Sequence, residues 1–103
     1  MTKANLLLNS AFNISERYRV ELKVFEDSLN QKYPEGVKAR FILIDVLNKV
    51  PRLIVDNHAP FGFHVHANLP KEKNKRLRLE TSNYLEALLK FWDLVKEILS
   101  YEN

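Results

Sequence analysis

Residues 53 to 69 read LIVDNHAPFGFHVHANL, and the reading of the whole chain turns on them. An apolar run ends in Asp56, Asn57 and His58. Ala59 and Pro60 break it, and polar and apolar residues then alternate through His66. All three histidines of the protein fall within nine consecutive positions here, so this is where chemistry is sought first. Alternation over Phe61 to His66 is the period of a half-buried strand. It assigns Phe61, Phe63 and Val65 to one face and Gly62, His64 and His66 to the other. Same-face neighbours on a strand stand roughly 6.5–7 Å apart, so two imidazoles so placed can converge on one phosphate, ligand or metal. Gly62 leaves that face open to close approach. The plainer reading is that both histidines face solvent on the outer side of a sheet.

Outward from this stretch, the chain reads as a single domain. At 103 residues it can bury a modest core but not two. It has no cysteine, which excludes disulfides, thiolate zinc sites and a cysteine nucleophile. That absence fits a reducing compartment, and cytoplasmic location is the expectation. The first residues, MTKANLLLNSAF, lack a signal peptide's apolar region, and no run approaches the roughly 20 apolar residues that cross a bilayer. The net charge of +3 permits a nucleic-acid partner without demanding one.

Upstream, Leu6 to Phe12 reads as a first strand with Asn13 as a turn signal. Ile14 to Phe25 reads as a second, with Tyr18, Val20, Leu22 and Val24 on one face and Arg17, Arg19, Glu21 and Lys23 on the other. A hairpin joins them most simply. Glu26 to Gly36 reads as a surface connection tacked down by Leu29 and Tyr33. Val37 to Val46 is a third strand, Leu47 to Pro51 a turn, and Arg52 to Val55 a fourth. Pro51 suits a strand start, because it donates no ladder hydrogen bond.

Downstream, Pro70 to Arg76 is a charged run whose basic residues include Lys73, Lys75 and Arg76, with Arg78 just beyond it. Such a run is ordinarily a solvated loop. Its functional alternative is a rim that grips nucleic-acid phosphates beside the histidines. Leu77 to Leu79 reads as a short sixth strand. Thr81, or Asn83 with Glu86, caps a terminal helix that ends near Ser100. Its apolar stripe runs Leu85, Leu88, Trp92, Val95, Leu99, widened by Phe91, Leu94 and Ile98. The expected fold is therefore α+β: a mostly antiparallel sheet of five or six strands with one long C-terminal amphipathic helix packed on it.

An apolar strand ending in Asp56 and Asn57, a short linker, then Gly62, His64 and His66 on a strand, a charged loop, the Leu77–Leu79 strand and the helix from Thr81 make up an order that resembles the TumE-type toxin family of prokaryotic toxin–antitoxin systems. The likeness covers the second half of the chain; in the first half only the order of strands agrees. The linker here differs in carrying His58, Pro60 and Phe61, and Val65 stands between the histidines where a basic residue is common. The resemblance implies a small cytoplasmic toxin neutralised by a cognate antitoxin, often a helix-turn-helix protein. It brings no settled reaction with it.

Three chemical readings follow. The first is RNA cleavage without metal or other cofactor. His64 and His66 would serve as base and acid, Asp56 would orient one ring, and His58 or Arg78 would stabilise charge on phosphate. Asn57 and Gly62 then shape the motif. The second is a metal site built from His64, His66 and Asp56. The third is a non-enzymatic domain whose wet sheet face or Trp92 stripe receives a protein partner. No phosphate-binding glycine loop, nucleophile elbow or paired-carboxylate motif decides among them. Oligomeric state is left open, a homodimer being compatible.

Overall fold

The computed structural model describes residues 5–26, 35–58, 62–67, 69 and 71–101. Among these, six strands form one sheet in sequence order, every neighbouring pair antiparallel. The strands are β1 (Leu6–Asn13), β2 (Tyr18–Glu26), β3 (Val37–Asp45), β4 (Val50–Asp56), β5 (His64–His66) and β6 (Leu77–Arg78). A single helix among the described residues, α1 (Tyr84–Tyr101), packs on one side of the sheet across β3 and β4. The α+β architecture expected from the sequence is the one observed. None of the described helices is long and apolar enough to cross a membrane.

Alternation in the central strands builds the core. Val20, Leu22 and Val24 of β2, Ala39, Phe41 and Leu43 of β3, and Leu53 and Val55 of β4 all point beneath α1 and are buried. Phe63 and Val65 extend that layer towards β6. From the helix, Ala87, Phe91 and Val95 complete it at four-residue steps, and the Phe91 ring centroid lies 5.9 Å from that of Phe41. Trp92 stacks on Phe12 at 6.1 Å, tying the helix to the edge strand β1. Leu85, expected on the stripe, is exposed. At 3.6 residues per turn it sits about 120° round the axis from Phe91.

Element ends are set by local chemistry. Residues 14–17 form bends rather than strand, because the backbone N–H groups of Ile14 and Ser15 both turn back to the Tyr18 carbonyl. Pro51 sits inside β4, not before it. The β3–β4 register shifts between Leu43 and Ile44, and Pro51 lies at that irregularity, a position where a missing N–H is tolerated. The β3–β4 turn is held by the Asp45 carboxylate, which accepts from the backbone N–H groups of Leu47 and Asn48, the Asn48 amide and the Arg17 guanidinium. The helix begins at Asn83, whose Oδ1 accepts from Leu85 N–H at 2.8 Å. The Asn83 N–H is in turn taken by the Thr81 hydroxyl at 3.0 Å, so both candidate caps act in series.

The fifth strand is shorter than the expected Phe61 to His66, since regular pairing covers only His64–His66. Phe61, with Ala59 and Pro60, lies outside the described residues, as do Leu29, Tyr33 and Pro70.

Candidate functional site

The antiparallel register assembles the site. Asp56 of β4 is the direct partner of His64 of β5, and His64 is the direct partner of Arg78 of β6. Directly opposed residues project to the same side, here the side away from α1. The row continues inward: Arg40 of β3 is opposite Asp56, and Lys23 of β2 is opposite Arg40. With strands about 4.8 Å apart, Lys23, Arg40, Asp56, His64 and Arg78 form one line across five strands. Lys23, Arg40 and Arg78 are exposed.

Asp56 is the hub. Its Oδ1 lies 2.9 Å from His64 Nε2 and 3.0 Å from His58 Nδ1. A carboxylate oxygen accepts, so His58 carries its proton on Nδ1. The backbone N–H of His58 also reaches the same oxygen, at 3.4 Å. Asp56 remains 17% exposed at the side chain and His58 47%, so the hub opens to solvent on one edge.

His64 is held from the other side. Its Nδ1 donates to the Gly62 carbonyl at 2.7 Å, and a carbonyl can only accept, so the hydrogen belongs on Nδ1. Gly62 adopts φ +66°, a left-handed conformation that glycine takes without strain, and this aims its carbonyl back at the ring. Although it lies on the outer face, His64 is only 1% exposed. The His58 and His66 rings close over it edge-on, at 4.8 and 5.1 Å between centroids. Burial pushes the His64 imidazolium pKa down. The Gly62 carbonyl and Asp56 carboxylate pull it up, and His58 and His66 oppose them; the net shift is below the ordinary value of 6.5.

His66 Nδ1 lies 3.1 Å from the Lys75 carbonyl and donates to it, which moors the basic loop to β5. Lys73, Lys75 and Arg76 are exposed in that loop. The four candidate catalytic residues thus form one contiguous group, with Arg78 in its row and the loop lysines beside it. The anticipated metal set of Asp56, His64 and His66 is not the one that converges. The ligand atoms that come within 4.8 Å of one another belong to Asp56, His58 and His64.

Asn57 has a different task. It is 1% exposed, accepts from Ala39 N–H at 2.9 Å, and donates to the Val37 carbonyl at 2.7 Å and to Glu35 at 3.0 Å. It completes the β3 edge where β4 ends, and so fixes its neighbour Asp56. Lys23 and Arg40 are the site residues that the sequence reading missed. Alternation along the second strand put Lys23 opposite its apolar face, but only the register aligns Lys23 and Arg40 with Asp56. No family model matches the chain, and no curated protein or solved structure matches it.

Proposed function

We propose that this chain is the toxin of a TumE-type toxin–antitoxin pair, acting in the cytoplasm on RNA through the Asp56–His58–His64–His66 group. One observation carries the reading: the register sets a carboxylate and a histidine, flanked by Lys23, Arg40 and Arg78, in a single line on the face that α1 leaves uncovered. Cations so arranged hold a phosphate backbone without reading its sequence, and imidazoles beside them move protons near neutral pH.

In RNA cleavage, the 2′-hydroxyl gives its proton to the Asp56–His58–His64 group. The 2′-oxygen bonds to phosphorus, the bond from phosphorus to the 5′-oxygen breaks, and His66 protonates that leaving oxygen. Arg78 and Arg40 offset the charge on the phosphoryl oxygens. His64, being buried, positions its neighbours rather than meeting substrate. A cognate antitoxin, of the helix-turn-helix kind by resemblance, is the expected partner.

Expression with and without the neighbouring open reading frame tests this. The chain alone arrests growth and fragments RNA, co-expression restores growth, and His66→Ala abolishes both effects with near-ultraviolet circular dichroism unchanged. Growth unaffected by the wild-type chain, with RNA intact, sinks the proposal.

A further inference from the structure

We infer that Asp56, His58 and His64 form a binding site for one divalent transition-metal ion of the zinc class, a claim that deepens the reading of the same site and rests on that reading only for the use made of the ion. The three side chains bring potential ligand atoms within 4.8 Å of one another, with the Asp56 oxygen 2.9 and 3.0 Å from the two imidazole nitrogens. Zinc bonds of about 2.0–2.2 Å at tetrahedral angles set ligand atoms about 3.3–3.5 Å apart. The two short edges need to open by only a few tenths of an ångström. The longest edge closes by turning His58, whose exposed side chain has room to move.

The inner ligand is already oriented as metal-bound histidines are. Its Nδ1–H is spent on a backbone carbonyl, the outer hydrogen bond that fixes ring and tautomer at metal centres. That leaves Nε2, 2.9 Å from a carboxylate oxygen, as the ring's remaining ligand atom. One metal ion there would draw a ligand atom from each of the three side chains, His58 Nδ1 releasing its proton as it binds. Two imidazole nitrogens and one carboxylate suit zinc, cobalt or iron, and not magnesium or calcium, which prefer oxygen throughout. Three protein ligands also leave a fourth position for water on the solvent edge, within the cationic row.

Zinc chloride titrated calorimetrically into the chelator-treated full chain tests the inference. The wild type takes up one equivalent and its melting temperature rises. His58→Ala and Asp56→Asn each weaken binding by roughly 100-fold or more. His66→Gln leaves zinc affinity within about threefold, since its ring is not among the converging ligands. Substitution at exposed His58 carries little folding risk, so it decides the question even if a variant at buried His64 fails to fold. No stoichiometric uptake by the wild type overturns the site. Equal loss from His66→Gln, or full affinity retained in both His58→Ala and Asp56→Asn, overturns the ligand set. RNA binding by the metal-free chain is scored separately by gel mobility. Zinc uptake without RNA binding or growth arrest defeats the functional reading alone, and RNA binding without zinc uptake defeats the metal site alone.

Discussion

His64 Nε2 lies 2.9 Å from Asp56 Oδ1 because the two residues are direct partners across β4 and β5. The pairing is enforced from both ends: Asn57 locks the end of β4 against β3, and the Gly62 carbonyl holds the far side of the His64 ring. A one-residue slip of β5 would turn Val65 outward and send both histidines into the apolar layer.

Gly62→Ala tests how far that geometry depends on a single backbone conformation. The added methyl group meets only Glu35 Oε2, at 3.6 Å, so the cost comes from φ +66° rather than from crowding. About 1 kcal/mol of stability is lost. The His64 Nδ1 proton resonance, sharp in the wild type through its bond to the Gly62 carbonyl, broadens or shifts.

On the RNA reading proposed above, charge reversal at Arg40 or Arg78 is expected to weaken RNA binding across sequences rather than for one sequence. Replacing either residue with Glu lowers affinity and reduces the slope of log affinity against log salt by about 1. Fluorescence anisotropy with two unrelated single-stranded RNAs over a salt series measures both quantities. An unchanged slope in both variants removes the cationic row from the RNA-binding surface.

Asn57→Ala destabilises the fold although it removes no catalytic atom. Three hydrogen bonds are lost, two of them to backbone groups of β3 with no access to solvent. The expected cost is about 2–4 kcal/mol, read as a lower urea midpoint at unchanged slope.

Asp45 makes the protein sensitive to acid. Burial pushes its carboxyl pKa up, but the hydrogen bonds from Asn48 and Arg17 outweigh that and bring it down from 3.8 to about 2. Between those values the unfolded chain binds the proton more tightly than the folded one. The contribution is therefore complete above about pH 4 and is lost as pH falls towards 2. Urea midpoints at pH 5 and pH 3 report the loss. Asp45→Asn flattens that dependence and lowers stability at pH 5.

The terminal helix and the strands β2 to β4 were legible from apolar residues that recur or run together, as with Leu88, Trp92, Val95 and Leu99 at three- and four-residue steps and Val20, Leu22 and Val24 at two; which helix residues are most deeply buried, Ala87, Phe91 and Val95, only the packing decided. Such periods follow from burying one side of a regular element, and no partner need be known to read them. Pro51 and Leu85 were misplaced for the complementary reason. An irregularity in strand pairing and the exact axis of a helix's apolar contact depend on what lies opposite.

The sequence alone determined that three histidines and an acidic residue lie close together along the chain, with the two histidines of β5 on one strand face. Only the tertiary structure decided that Arg40 and Lys23 join them, that His58 rather than His66 shares a ligand cluster with Asp56, and that His64 is buried. Spacing along the chain sets which way a side chain points, because strand geometry is local. Which residues meet across strands, and which rings close over which, is set by register and packing between segments far apart in the chain.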